Sequence, residues 1–207
     1  GLLEEDPADH RLEVFPDQGE ANVTTAHQEG PLRATASAYG EPNAYRPEVR
    51  ASQAVDGDPS TAWVVADRAD PLGQRLRIDA DEPVDAFTVL QARLPHATRW
   101  ITEVRLTTSS GEDRTIALTE ASHTGEGQPI ALEAPADWWQ LEITGTNVAP
   151  AAAYPNQGPV GFAEVATDLG PTHNAITYLR IQGSDFNTGA ISETTPFTVN
   201  TSGDFDG

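Results

Sequence analysis

Short stretches of alternating apolar and polar residues, separated by turn-forming residues, run through most of this sequence. Such alternation is typical of half-buried β-strands, because successive side chains of a strand point to opposite faces of a sheet. No window of ten or more residues carries the i, i+3, i+4, i+7 apolar stripe of an amphipathic helix. The alternating positions are Leu32, Ala34, Ala36 and Ala38; Leu76 and Ile78; Val104 and Leu106; Ile116 and Leu118; and Trp139, Leu141 and Ile143.

The turn residues between these stretches predict the fold class. The 17 glycines and 16 prolines are scattered along the 207 residues instead of forming one linker. Several short strands at such spacing predict an all-β sandwich or barrel, with short helical turns at most. We expect an N-terminal extension over residues 1–31 with an edge strand near 12–15, a β-sandwich over 32–167, and an extra strand near 178–181 within a Ser/Thr/Asn/Gly-rich tail over 168–207.

Three residue types are missing, and each absence excludes a kind of chemistry. Without cysteine there are no disulfides, thiolate metal sites or cysteine nucleophiles. Without lysine there is no P-loop or Schiff-base mechanism, and the twelve basic residues, all arginine, are typical of a high-GC genome. Without methionine, a chain starting at Gly1 is expected to be excised from a larger protein.

The net charge of −20 restricts the partners of the chain. A negative field of this size repels nucleic-acid phosphates and anionic lipid surfaces, whereas a neutral sugar or a divalent cation is compatible with it. The acids also serve simply to solvate a secreted surface. No apolar run approaches the length of about 20 residues that a membrane span needs, so no membrane insertion of this fragment is expected.

The segment ASQAVDGDPSTAW, residues 51–63, gathers oxygen-bearing side chains around a tight turn. Its glycine permits a positive φ and its proline fixes the φ that follows, so the chain turns sharply there. Asp56, Asp58 and Thr61 supply carboxylate and hydroxyl oxygens within a small volume, and Ca²⁺ accepts such hard donors with loose geometry. On these residues alone, an ordinary Asp-Gly turn without metal is the simpler interpretation.

The pattern Ala-x-Asp-Gly-Asp-x-x-Thr-x-Trp in this segment resembles the signature of discoidin, or coagulation-factor type C, domains. Other segments resemble successive strands and loops of that family in the same order, and the resemblance covers residues 32–167. It implies a galactose-binding-like (jelly-roll) β-sandwich. The sequence also looks like the extracytoplasmic modules of actinobacterial cell-wall arabinofuranosyltransferases. The segments that carry the resemblance are residues 34–39, 45–48, 74–79, 84–90, 101–106 and 161–165.

The resemblance implies a structural calcium ion. Carried over position by position, its side-chain ligands are Asp56, Thr61 and Glu164, and its backbone carbonyl ligands are those of Gln53, Asp58 and Ala163. Alternation along the strand that ends the sandwich independently predicts that Glu164 shares a face with Val160 and Phe162. A carboxylate on an apolar face needs a partner. Calcium would supply one, and so would an arginine.

The sequence carries no recognisable catalytic motif, because it lacks both a Gly-x-Ser-x-Gly elbow and a His-Glu-x-x-His pair. A sugar site needs an aromatic ring for the apolar face of the sugar and polar groups for its hydroxyls. In the resembling family such a ligand lies among loops at one end of the sandwich. The loop residues that we rank highest for ligand binding are Tyr45, Arg46, His96, Arg99 and Trp100.

These observations favour a non-catalytic carbohydrate-binding module of a larger extracytoplasmic enzyme, in particular an arabinofuranosyltransferase. Its ligand would be an arabinan- or galactan-type cell-wall polysaccharide, and its other partners would be the remaining domains of the parent protein. Such a module would lie on the extracellular or periplasmic face of a bacterial membrane protein. The alternatives are a structural or protein-interaction sandwich without sugar binding, a module of a glycoside hydrolase, and a catalytic domain with converging titratable groups.

Overall fold

A computed structural model describes residues 25–40, 47–65, 70–94, 97–148, 158–177 and 197–198. Within these ranges the chain is antiparallel β-structure with three single-turn 3-10 helices, at Pro47–Val49, Ala51–Ala54 and Glu120–His123. The all-β prediction is therefore confirmed. The strands expected near residues 12–15 and 178–181 lie outside the described residues.

Ten strands are described, and they form two sheets. Strands β1, β9 and β10 form a three-stranded sheet in the order β1-β9-β10. The other seven strands pair in the order β3-β8-β4-β7-β5-β6, and β2 pairs with β4. The strands are β1 (Thr25–Glu29), β2 (Leu32–Ala36), β3 (Trp63–Val65), β4 (Arg75–Gln91), β5 (Ile101–Thr108), β6 (Asp113–Ala117), β7 (Gln128–Thr146), β8 (Val160–Ala166), β9 (His173–Thr177) and β10 (Phe197–Thr198).

The seven strands fold into a sandwich because β4 and β7 are long and change partners along their length. The register between them shifts between Asp79 and Val84 and again between Val84 and Ala86. Before these shifts β4 pairs with β2 on one side and with the last part of β7 on the other. This part of β7 also pairs with β5, which in turn pairs with β6. After them β4 pairs with β8 and the first part of β7. Bulges of this kind bend strands, and the bend lets the two halves of β4 and β7 belong to the two opposite layers of the sandwich.

The core lies between the two layers and is closed by aromatic stacking. The ring of Phe87, in the second half of β4, stacks on Trp139, in the second half of β7, with ring centroids 5.2 Å apart. Trp63 of β3 stacks on its register partner Phe162 of β8 at 5.8 Å. These rings belong to one cluster together with the alternating positions expected from the sequence, including Leu76, Ile78, Val104, Leu106, Leu141 and Ile143.

Neighbouring tryptophans of β7 point to opposite faces, as the alternation predicts. Trp139 is fully buried, whereas Trp138 is partly exposed on the outer face and lies under the guanidinium of Arg77, 4.1 Å from the ring centroid. Arg77 in turn binds Asp79 through an ion pair of 2.6 Å. The outer face of this layer is thus polar around one aromatic ring.

The three-stranded sheet belongs to a compact unit of its own, separate from the unit that holds the sandwich. In that sheet β9 is the central strand, and it pairs antiparallel with β1 from Glu29↔His173 to Thr25↔Thr177. On the other side of β9, Phe197 pairs with Ile176.

Removing the ring of Phe87 should destabilise the sandwich strongly. We expect Phe87→Ala to lower the free energy of unfolding by about 3–5 kcal/mol, because it leaves a cavity beside Trp139. Urea unfolding monitored by circular dichroism measures this loss, with Thr115→Ala on the exposed face of β6 as the control. A loss no larger in Phe87→Ala than in the control would contradict this description of the core.

Candidate functional site

The aspartate-rich loop is built from a single-turn helix followed by two turns capped by side chains. The helix Ala51–Ala54 is almost entirely buried, which anchors the start of the loop. Asp56 Oδ1 then accepts the backbone N–H of Asp58 at 3.0 Å, and Asp58 Oδ1 accepts that of Ser60 at 2.9 Å. Aspartates that bond the backbone two residues ahead fix tight turns, so the sequence DGDPS determines the loop conformation locally.

A segment that follows β8 holds this loop from the outside. Gly57 has a φ of +80°, and a Cβ on it would lie only 2.7 Å from the Cβ of Pro171. The next residue, Thr172, donates its N–H to the carbonyl of Val55 at 2.8 Å. The Thr172 hydroxyl also bonds both backbone groups of Leu32, the first residue of β2. A residue larger than glycine at position 57 would therefore be strained and would displace this contact.

Four oxygen atoms converge in the loop around the hydroxyl of Thr61. This hydroxyl lies 2.9 and 3.0 Å from the two carboxylate oxygens of Asp56, 2.9 Å from the carbonyl of Asp58 and 3.3 Å from that of Gln53. A hydroxyl has one proton and can donate to only one of these four acceptors at a time. We call this group, together with the carboxylate of Glu164, the oxygen cluster.

Glu164 reaches the oxygen cluster by a route that simple alternation does not predict. The register of β8 against β4 shifts between Leu90↔Glu164 and Gln91↔Phe162, so Ala163 is an extra residue in β8. Phe162 and Val165 both point into the main core as a result. The expectation that Glu164 shares a face with Val160 and Phe162 is therefore wrong, since the bulge turns Glu164 to the opposite face.

On that face, the loop covers the β3-β8-β4 layer. A second apolar cluster of Val49, Ala62, Val64 and Ala163 packs there. Glu164 lies at this interface, where its carboxyl group is close to that of Asp56 and to the backbone N–H of Gly57.

The two facing carboxyl groups strongly perturb each other. Burial, together with the nearby charge of Asp56, raises the pKa of Glu164 from 4.5 to about 8. Burial also raises the pKa of Asp56, although hydrogen bonds from Asp58 and Thr61 oppose this effect. Since two adjacent carboxylates repel each other, only a proton or a cation can neutralise the pair.

The donors fit a hard cation. Glu164 Oε1 and Gln53 Oε1 are buried without any hydrogen-bond partner. Two carboxylates, a hydroxyl and backbone carbonyls form the mixed oxygen set that Ca²⁺ accepts. No group of three or more His, Cys, Asp or Glu side chains suited to a metal occurs in the described ranges, so carbonyl and hydroxyl oxygens would have to complete the shell.

Without metal, the stability of the folded chain should fall as the pH rises from about 4.5 to about 8. The pKa of Glu164 is raised on folding. The folded state therefore keeps a proton that the unfolded state releases above its ordinary pKa, and the favourable contribution is lost as the pH approaches the folded pKa. Chemical unfolding in a chelator between pH 5 and 8 measures this slope. Glu164→Gln should flatten it, whereas Glu133→Gln, at an exposed position of β7, should not. An equal slope in Glu164→Gln and the unmodified chain would refute this assignment.

A second candidate site surrounds Trp100, immediately before β5. Trp100 is the one large hydrophobic side chain that is exposed in the described part of the chain, with 44% of its surface accessible. The planes of the Trp100 and His123 rings are nearly perpendicular in a T-shaped contact, with centroids 5.6 Å apart. Arg93 donates its Nε–H to the carbonyl of His123 at 2.9 Å, so an exposed guanidinium borders the same surface. Trp100, His123 and Arg93 form what we call the Trp100 patch.

The backbone next to Trp100 is held by buried or bridging amide side chains. Asn147 accepts the N–H of Trp100 at 2.8 Å and donates to the carbonyl of Thr98 at 2.9 Å. Gln91, the last residue of β4, bonds both the N–H and the carbonyl of Ile101 at 2.8 Å. The exposed ring is therefore carried on a fixed backbone, and preorganisation of this kind favours ligand binding.

The structure brings together only part of the predicted ligand-binding set. Arg99 and Trp100 lie together at the start of β5, and Arg99 is partly buried. Tyr45, Arg46 and His96 lie outside the described residues. His123 and Arg93 were missed by sequence reasoning, because His123 lies in a 3-10 helix with no alternation pattern and Arg93 lies in the loop after β4. In the aspartate-rich loop, by contrast, the contacts join Gln53, Asp56, Asp58 and Thr61, while Ala163 is the bulged neighbour of Glu164.

The described residues form an antiparallel β-sandwich, the fold class that the sequence predicts. No family model matches the sequence, and no curated protein matches it significantly. Among solved structures, the chain is similar to arabinofuranosyltransferase AftD from Mycobacteria. A mutant form matches with a TM-score of 0.55 and 22% identity over 76% of this chain and 13% of that chain. Another AftD structure matches with a TM-score of 0.50 and 22% identity over 77% of this chain and 11% of that chain.

The family 32 carbohydrate-binding module of NanJ from C. perfringens, solved in complex with galactose, also matches. Its TM-score is 0.46 and its identity 15%, over 68% of this chain and 97% of that chain. The chain thus spans only a small part of the length of the AftD transferases, and at these identities the likeness establishes a shared fold. No helix in the described ranges has the length and apolar character that a membrane span requires.

Proposed function

We propose that this chain is a non-catalytic carbohydrate-binding domain of a larger extracytoplasmic cell-wall enzyme, an arabinofuranosyltransferase, and that it holds arabinan or arabinogalactan. The observation that carries the proposal is the Trp100 patch, where an exposed indole ring lies among hydrogen-bonding side chains on a fixed backbone. The shared fold with parts of the AftD transferases supports the choice of parent enzyme.

The Trp100 patch has the chemistry of a sugar site. An indole face packs against the C–H face of a sugar ring, and flanking polar groups fix its orientation through the hydroxyls. The exposed guanidinium of Arg93 would donate to such hydroxyls, and Arg99, which precedes Trp100 in the chain, would supply a second donor group. Because the patch is open and small, we expect weak, reversible binding to single sugars, strengthened when several domains hold one polymer.

The overall charge is compatible with a neutral polysaccharide. A chain with a net charge of −20 would repel a phosphate-bearing polymer, whereas arabinan and galactan carry no charge for that field to act on. In the parent enzyme, such a domain would keep the polymer near the catalytic domain and raise its local concentration there.

We further propose that the oxygen cluster holds a structural Ca²⁺ ion. Asp56, Thr61 and Glu164 would contribute side-chain oxygens, and Gln53, Asp58 and Ala163 backbone carbonyls. The facing carboxyls of Asp56 and Glu164, and the orphaned oxygen of Glu164, support this proposal. The ion would neutralise this pair and so fix the loop against β8.

Saccharide binding should depend on Trp100. We expect titration with arabinan, galactan and arabinogalactan oligosaccharides in calcium buffer to give saturable binding in the unmodified chain. Trp100→Ala should weaken it by about tenfold or more, which corresponds to about 1.4 kcal/mol of lost contact. Isothermal titration calorimetry measures the affinity.

The matched control is Trp138→Ala, because Trp138 is the other partly exposed tryptophan but lies on the outer sheet face under Arg77. It should keep the affinity of the unmodified chain. A flat response of the folded chain to every oligosaccharide would reject sugar binding and favour a structural or protein-interaction sandwich. A preference for another polysaccharide would instead indicate a different parent, such as a glycoside hydrolase.

Calcium should stabilise the chain through the oxygen cluster. At a hundredfold excess over its Kd, a ligand of the folded state adds about 2.7 kcal/mol of stability, which raises the Tm of a chain of this size by about 5–10 °C. Differential scanning fluorimetry with calcium and with a chelator measures the shift. Asp56→Asn and Glu164→Gln should abolish it, whereas Asp81→Asn, which removes the carboxylate of an exposed ion pair with Arg33, should retain it. A calcium shift that survives both cluster variants would disprove the site.

A further inference from the structure

The starting point is the buried side chain of Gln91, whose orientation is fixed by one backbone residue. Its Oε1 accepts the N–H of Ile101 and its Nε2 donates to the carbonyl of Ile101, both at 2.8 Å. A backbone N–H only donates and a carbonyl only accepts. Exchanging the amide oxygen and nitrogen would break both bonds, so Nε2 is the amide atom that also contacts the third 3-10 helix.

That nitrogen faces His123. Gln91 Nε2 donates to Ser122 Oγ at 2.8 Å and lies 3.3 Å from His123 Nε2. Ser122 uses its own proton on the carbonyl of Thr119 at 2.7 Å. An amide nitrogen has no free lone pair to accept a proton from an imidazole N–H. Both N–H groups of Gln91 Nε2 are used, on Ile101 and on Ser122, so this nitrogen offers His123 neither a proton nor a lone pair. An N–H at His123 Nε2 would find no acceptor there, which favours the Nδ1–H form of neutral His123.

The charged groups around His123 also disfavour its protonation. Partial burial lowers the pKa of His123 from its usual 6.5, and the positive charge of Arg93 lowers it further, while Glu120 of the same helix acts in the opposite direction. Gln91 and Ser122, its other described polar neighbours, carry no charge. A lowered pKa means that the stabilising contribution of neutral His123 is complete above pH 6.5 and is lost as the pH falls through the folded pKa.

We propose that His123 is a proton-sensitive positioning residue of the Trp100 patch. In its neutral Nδ1–H form its ring holds the Trp100 ring in the sugar-binding orientation through the T-shaped contact. Protonation places an N–H at Nε2 against the amide nitrogen of Gln91, which cannot accept it, drives the imidazole away from this position and breaks its contact with Trp100. Saccharide is therefore bound near neutral pH and released in acid. The consequence for saccharide depends on the proposed function, whereas the state of His123 does not.

Protonation of His123 should displace His123 and not Gln91, because the bonds from Gln91 to Ile101 cannot be rearranged without moving the start of β5. The side chain of Gln91 is 2% exposed and Ile101 is fully buried. His123 lies in a single-turn helix of four residues and is partly exposed. The short helix, rather than the strand, is the element that yields when His123 Nε2 carries a proton, and it carries the imidazole ring that contacts Trp100.

The first experiment measures the protonation of His123 in the free chain. Long-range ¹H–¹⁵N NMR of the five histidines, assigned with His123→Phe, should show the Nδ1–H tautomer for His123 at pH 7.5 and a pKa below 6.5. The Trp100 indole signals should shift with the same midpoint. An Nε2–H tautomer, a pKa at or above 6.5, or Trp100 signals that ignore this titration would overturn the proposal, whether or not any sugar binds.

The second experiment measures saccharide affinity at pH 7 and pH 5. We expect the affinity of the unmodified chain to fall severalfold from pH 7 to pH 5, in step with the fraction of His123 that becomes protonated. In His123→Phe, which keeps an aromatic edge without a titrating group, the ratio of the two affinities should approach one. His173→Gln, at an exposed histidine of β9, should keep the ratio of the unmodified chain. An unchanged ratio in His123→Phe would show that another group governs the pH response.

Discussion

The pairing of β4 with β7 is the interaction on which the rest of the structure depends. These two strands form the middle of both layers, and the bulges between Asp79 and Ala86 let them do so. The second half of β4 also positions both candidate sites. Leu90 pairs with Glu164 of the oxygen cluster, and Gln91 holds the backbone beside Trp100. The end of β4 therefore lies beside the oxygen cluster on one face, and on the other face it holds the backbone of Ile101 through the Gln91 side chain.

The sequence predicts the layers well because their stability comes from apolar burial, which alternation reports directly. The buried positions Leu76, Ile78, Leu141 and Ile143 all lie in strands as expected. The local geometry of the aspartate loop could also be anticipated, since aspartate side chains bond backbone groups two residues ahead.

What could not be predicted depends on contacts between distant segments. The bulge at Ala163 reverses the face of Glu164, and no residue in β8 signals it. Likewise, the support of Gly57 by Pro171 joins residues more than a hundred positions apart. His123 lacked any sequence signal because its role comes from Gln91 and Trp100, which reach it from different strand ends. Each of these features is set by tertiary packing and not by a local propensity.

The pair of hydrogen bonds between Gln91 and Ile101 has a consequence for how such a domain diversifies in evolution. Because one side chain fixes both backbone groups at the start of β5, the connection from residue 92 to residue 100 does not itself have to set the register of that strand. Substitutions, insertions and deletions in this connection can accumulate while the sheet stays unchanged. The surface that contacts a ligand can therefore change in evolution, as the loops of antibodies do, while the sheet that carries it keeps its structure.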